Sequence, residues 1–187
     1  MNYKKLKQVL LTIAIVVATT MSTLGQTTIN PDTVCASAVG EQYFVTNTVA
    51  STYQWTITGG GGALQTGQGS NSITASWGAV GGLYLNAVEV IETSANNCLG
   101  TPILLDVYVL DLSATAIGPL CPGDPTTPLV GTPVGGTWSG VGVVANAFQP
   151  STAGVGNHVL TYSLGGCNIT INVTVNSGPI TGPIQHY

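Results

Sequence analysis

After Lys7 the sequence contains neither lysine nor arginine. The only cations are Lys4, Lys5 and Lys7, and charged residues make up 5% of the 187 positions. An ordinary soluble domain carries about 25%. Phosphate backbones are held by cations, so nucleic-acid binding is excluded. Arginine clamps, P-loop lysines and Schiff-base lysines go with it. Histidine is almost as scarce, with only His158 and His186 to serve as an imidazole base. His158 falls in a strand pattern and reads as an ordinary strand residue. His186 is the penultimate residue, where catalytic geometry is hard to hold. There is no G-x-S-x-G elbow to support a serine triad, and no C-x-x-C pair or nearby histidine for zinc. The expectation is a protein that is not an enzyme and carries no cofactor.

The acidic residues are few as well: Asp32, Glu41, Glu89, Glu92, Asp106, Asp111 and Asp124. Calcium takes oxygen ligands, which makes Asp106 and Asp111, with Glu89 and Glu92 one strand away, the weak metal candidates. No loop concentrates three carboxylates, so solvated acids are the better reading and no metal site is assigned. The glycines at 59–62 follow a strand pattern without the lysine and hydroxyl of a phosphate loop, and read as a turn.

What is present begins with an address. Three lysines precede the apolar run Val9–Ala18, and Thr19–Leu24 leads to the small residue Gly25. This is the three-part plan of a secretory signal peptide, residues 1–25, cleaved near Gly25/Gln26. The strictly apolar stretch is about half of the ~20 residues a membrane span needs. No other segment could cross a bilayer, so the mature chain is expected to be exported, extracellular or at the cell surface, without a transmembrane segment.

Export places Cys35, Cys98, Cys121 and Cys167 in an oxidising compartment, where even counts form disulfides. Four cysteines allow three pairings. Cys35 and Cys98 bracket the first half, Cys121 and Cys167 the second, and that bracketing predicts Cys35–Cys98 and Cys121–Cys167.

The mature chain reads as strands throughout. Tyr53–Ile57 alternates apolar and polar residues, Ser72–Trp77 does so more loosely, and Asn86–Ile91 and Ile103–Val109 are rich in branched side chains. Glycine clusters separate them, which is the pattern of an all-β sandwich rather than βαβ units. No segment after Gln26 has a helical period with caps. A linker around Asp111–Ile117 opens a second unit, whose clearest strand is Asn168–Val175. There Ile169, Ile171, Val173 and Val175 share one face, and Asn168, Thr170, Asn172 and Thr174 the other. His158–Leu164 reads as its antiparallel neighbour. Trp55, Trp77, Trp138, Tyr162 and the four apolar residues of the last strand are the expected core. Three tryptophans could also make a sugar-stacking platform, which keeps a glycan-binding module as the alternative function.

On these residues the chain resembles a known group. Tyr53–Trp55, Gly59–Gly62, Asn71–Trp77 and Asn97–Gly100 look like the PKD-like, immunoglobulin-type modules of secreted Bacteroidota proteins. Gly135–Gly142, Phe148–Pro150, Ala153–Gly154, Leu160–Tyr162 and Gly166–Cys167 are similar to a second repeat module of the same surface proteins. The resemblance implies two tandem immunoglobulin-like β-sandwich domains after the signal peptide, residues 26–110 and 111–177, followed by a tail, 178–187. Such modules occur in adhesins and in gliding- or type IX secretion-associated proteins. The implied function is a non-catalytic structural or adhesive subunit that self-assembles, with a filament as one form, or docks on an outer-membrane or surface partner. A surface nearly free of charge does not repel its own copies, and open strand edges without lysines invite pairing. The tail repeats Gly-Pro-Ile, and Pro179, Ile180, Pro183, Ile184, His186 and Tyr187 form the candidate interaction element. Proline lowers the entropy lost when an extended peptide docks, and isoleucine offers an apolar anchor.

Overall fold

The structure, a computed structural model, describes residues 31–179 and 182–186. The signal peptide assigned to residues 1–25, with its cleavage at Gly25/Gln26, lies outside the described residues, as do Ile180 and Tyr187 of the tail. The fold is all-β, with fifteen strands and one helical turn among the described residues. The strands are β1 (Asp32–Cys35), β2 (Glu41–Phe44), β3 (Thr52–Ile57), β4 (Ala63–Thr66), β5 (Ser72–Ser76), β6 (Gly82–Thr93), β7 (Ile103–Leu110) and β8 (Ser113–Ala114). Then follow β9 (Thr127–Pro128), β10 (Gly131–Thr132), β11 (Thr137–Ser139), β12 (Val143–Val144), β13 (Ala147–Phe148), α1 (Pro150–Ala153), β14 (Gly156–Leu164) and β15 (Cys167–Val175).

The strands form sheets with the orders β1-β7-β6-β3, β2-β5-β4, β11-β14-β15, β12-β13-β9 and β10-β8. The chain divides into two compact units. Among the described residues, the first holds Gly40–Ser76 and Leu83–Tyr108, with Asp32; the second holds Thr33–Val39, Trp77–Gly82 and the residues from Val109 onward. Two segments from early in the chain, one of them carrying Trp77, therefore group with the later residues.

The first unit places Tyr53 and Trp55 of β3 on the same inward face, because a strand alternates with period 2. They are buried with Tyr43, Ile73, Ala75, Val88, Val90 and Val107. β3 runs antiparallel to β6, with Trp55 opposite Val90. The glycines at 59–62 form the turn between β3 and β4, closed by a bond from the Gly62 N–H to the Gly59 carbonyl at 2.8 Å. In the second unit Trp77, Leu129, Trp138, Phe148, Leu160, Tyr162, Val173 and Val175 are buried.

The hairpin β14–β15 follows from local chemistry. Gly165 (φ 58°) and Gly166 (φ 84°) both adopt positive φ, which a tight two-residue hairpin turn requires. The register that results pairs Leu164 with Cys167 and Gly156 with Val175. Apolar residues of β15 face inward as the alternation predicts. Val173 and Val175 are buried, whereas Ile169 and Ile171 are only half-buried. β15 is the last strand of its sheet, and its C-terminal end pairs with a further segment. There Leu120 bridges Val175 in parallel.

Two further expectations are corrected. Among the described residues a helical turn, α1, exists where no helix was expected. Four residues are too short to show a period, and the signals are local ones, Pro150 at its first position and Gly154 (φ 79°) at its end. The disulfide pairing also differs: Cys35 bonds to Cys167, with Cα atoms 5.5 Å apart, while Cys98 and Cys121 are free and exposed. Cys35 lies in Thr33–Val39, one of the early segments that belong to the second unit. Bracketing along the sequence could not see that transfer, so neither expected pair, Cys35–Cys98 or Cys121–Cys167, forms.

Candidate functional site

The second unit is organised around Tyr162. This ring stands on β14 opposite Trp138 of β11, with centroids 5.2 Å apart and planes at 40°. Gly131 and Gly136 press against it. A Cβ added at Gly131 would lie 2.5 Å from Tyr162 Cζ, and one at Gly136 would lie 2.4 Å from the same atom. Only residues without side chains allow the backbone this close to the ring. The phenol hydroxyl donates to the Pro133 carbonyl and accepts the Gly136 N–H at 2.9 Å. Tyr162 thus pins the whole Pro133–Gly136 loop, which follows the cis Thr132–Pro133 peptide. A shallow cleft of about 210 Å³ runs beside it, lined by Leu129, Val130, Val134 and Asn146 among others. A second cleft of about 190 Å³ lies at the disulfide, where Leu110, Asp111, Leu112 and Ile169 meet Cys35 and Cys167.

The first unit has a counterpart. The Tyr53 hydroxyl accepts the Thr48 N–H at 2.7 Å and donates to the Thr46 carbonyl at 3.4 Å. The Trp55 indole donates to the Ser70 carbonyl at 2.8 Å.

Both units also cover exposed strand backbone with side-chain amides. On β3, Gln68 Oε1 accepts the Trp55 N–H at 2.9 Å, and Gln68 Nε2 donates to the Trp55 carbonyl at 3.1 Å. Gly69 exchanges two further bonds with Tyr53, so the edge of β3 is closed. On β11, Asn146 Oδ1 accepts the Trp138 N–H at 3.1 Å. Asn146 holds φ 59° in the β12–β13 hairpin, a conformation asparagine tolerates better than most residues. Neither Gln68 nor Asn146 was singled out in the sequence. A lone amide in a loop carries no periodic signal, and only the folded chain brings it to a strand two elements away.

The sequence candidates fall as follows. His158 is half-buried on β14, with Nε2 2.9 Å from the Gly154 carbonyl and its ring 5.9 Å from Phe148. It ties the end of α1 to the sheet. The Asp106 carboxylate accepts the Asn86 N–H at 2.7 Å, and Asp111 lines the cleft at the disulfide. Among the described residues no group of three or more His, Cys, Asp or Glu side chains converges. The three tryptophans are buried, so their rings do not form a stacking surface. In the tail, Pro179, Pro183, Ile184 and His186 are exposed, and Ile184 is fully so. No helix among the described residues is long and apolar enough to cross a membrane.

Residues 20–102 match a family model described as a PKD-like domain. No curated protein matches the chain. Among solved structures, the fibronectin(III)-like modules of Clostridium thermocellum CbhA are similar at 12% identity, covering 87% of this chain and 98% of that one, with a TM-score of 0.31. Extracellular domains 3–5 of Drosophila OTK are similar at 16% identity, covering 82% of this chain and 67% of that one, with a TM-score of 0.26. The PKD-like match and the all-β structure together support an immunoglobulin-like β-sandwich fold for this chain.

Proposed function

We propose that this protein is a non-catalytic structural or adhesive subunit outside the cell, which assembles with its own copies or docks on a cell-surface partner. The observation that carries the reading is the chemistry of the surface. Among the described residues there is no lysine or arginine, while large apolar side chains such as Phe44, Val49, Leu85 and Leu99 stand more than half exposed. Such a surface sets up little repulsion between copies and offers apolar area to a partner. The PKD-like match supports an extracellular module, and the Cys35–Cys167 disulfide suits an exported chain. Participation in a filament, or in gliding or type IX secretion machinery, is the finer form of this reading and rests on the sequence resemblance. The tail, in which Pro179, Pro183 and Ile184 are exposed, is the docking element this reading assigns to it.

Negative-stain microscopy and light scattering of the mature protein, purified from its native envelope, test the reading. Filaments, oligomers or a stable complex with a surface protein are expected. A monodisperse monomer, found free in the medium and at all concentrations, overturns it.

A further inference from the structure

One long strand edge in the second unit is left open. The bonds at the end of β15 show which way its backbone points. The Leu120 N–H donates to the Thr174 carbonyl at 2.9 Å, and the Asn176 N–H donates to the Leu120 carbonyl at 2.8 Å. Residues 174 and 176 therefore direct both backbone groups away from β14. In an antiparallel ladder this direction alternates residue by residue. Thr170, Asn168 and Asn172 then also point their N–H and C=O groups outward, while Cys167, Ile169, Ile171 and Val173 bond to β14. The hairpin register agrees, since Leu164 and Cys167 close the two-residue turn as a bonded pair.

Leu120 covers this edge only from Thr174 onward. Asn168, Thr170 and Asn172 are exposed, and among the described residues no segment pairs with their outward groups. Two other edges are capped: β3 by Gln68 and Gly69, and β11 by Asn146. β11 is the opposite edge of the same three-stranded sheet. The open stretch carries no charge, no proline and no bulge, the usual guards against strand addition.

We propose that this edge pairs antiparallel with the same edge of a second copy, about a two-fold axis at Thr170. The inference rests on the self-assembly reading and names its surface. Three observations select a second copy as the occupant. The outward residues Asn168, Thr170 and Asn172 are symmetric about their centre, so the edge is self-complementary, as a two-fold interface requires. Thr170 meets its own copy, and Asn168 meets Asn172 of the other, placing amide against amide. Both ends of the register are also bounded. The Gly165–Gly166 turn takes the chain off the edge where the other copy's Leu120 begins. Finally, the absence of charge gives a charged peptide nothing to recognise and gives a second copy nothing to repel. The pairing joins two three-stranded sheets across the axis.

The test uses the mature chain, with concentration-dependent mass read by sedimentation or light scattering and folding read by circular dichroism. Thr170→Pro removes an outward N–H without touching the β14 ladder, and proline is tolerated at edges. Thr170→Lys places like charges face to face across the axis. The wild type is expected to double in mass with concentration, and both variants are expected to remain folded and to lose that doubling. In a Cys98→Ser/Cys121→Ser background, Thr170→Cys is expected to give a disulfide-linked dimer, because bonded antiparallel partners have Cα atoms about 5.5 Å apart. If Thr170→Pro does not fold, Thr170→Lys decides. A wild type that associates while folded Thr170→Lys associates equally well overturns the edge but leaves the assembly reading standing. A wild type that never associates overturns both.

Discussion

The two units solve the same problems with the same residue types arranged differently. Each buries one tyrosine whose hydroxyl holds a loop by one backbone N–H and one backbone carbonyl. Each buries a tryptophan on an edge strand whose backbone N–H is taken by a side-chain amide. In the first unit both aromatics lie on β3, two residues apart on one face. In the second they lie opposite each other on neighbouring strands, stacked and pressed by two glycines. The second unit also carries the disulfide. The difference teaches how a chain with no lysine or arginine among its described residues specifies a fold. It fixes loops through phenols and amides bonded to backbone. Where one more constraint is needed, it uses close packing around a ring and a covalent link.

That comparison can be broken at the covalent link first. Cys35 and Cys167 are 132 residues apart in sequence. Replacing both by serine should cost the second unit up to about 5 kcal/mol on the chain-entropy account. Calorimetry with and without reductant measures this, and peptide mapping should recover Cys35 joined to Cys167. Cys98→Ser with Cys121→Ser should stay within ~0.5 kcal/mol of wild type, as exposed sites do. A larger loss there, or Cys98 found in an intramolecular bond, would break the assignment.

The packing around Tyr162 comes next. Gly136→Ala forces a methyl into the ring and toward the Ser163 carbonyl, and should cost roughly 1–3 kcal/mol as overpacking. Gly123→Ala, with nothing within 4 Å of the added carbon, should be nearly silent in the same denaturant titration.

The two tyrosine anchors can be set against each other directly. Tyr162→Phe leaves the Gly136 N–H and Pro133 carbonyl without their partner, a loss of about 1–3 kcal/mol. Tyr53→Phe should cost less, because its bond to the Thr46 carbonyl is already long at 3.4 Å. Equal losses would mean that loop anchoring does not distinguish the units.

The smallest effects belong to the amide covers. Gln68→Ala and Asn146→Ala should each cost about 1 kcal/mol. Their sharper signature is faster hydrogen exchange at the Trp55 and Trp138 amides, which then face water. Unchanged exchange would show that other groups protect those edges.

Much of the strand structure was legible in advance because alternation is a local property. Tyr53–Ile57 and Asn168–Val175 carry a period-2 pattern, Ile103–Val109 is rich in branched side chains, His158–Leu164 reads as the neighbour of the last strand, and each became a strand. The two glycines at 165 and 166 make the tight turn that sets the β14–β15 register. The scarcity of charge could be counted before any fold was known, and it dictates what kind of surface results. What joins distant segments was not legible. Nothing near Cys35 shows that Thr33–Val39 groups with residues beyond Val109, so the disulfide partner was decided by tertiary packing alone. The same holds for Gln68 and Asn146, whose amides matter only because folding delivers them to a bare strand edge. The glycines at 131 and 136 could be read as turn residues, but their closeness to Tyr162 appears only once β14 is in place. Local periodicity is set by the backbone's own geometry. Which edges are covered and which cysteines meet depends on contacts between residues far apart in sequence, and the order of residues along the chain does not display those contacts.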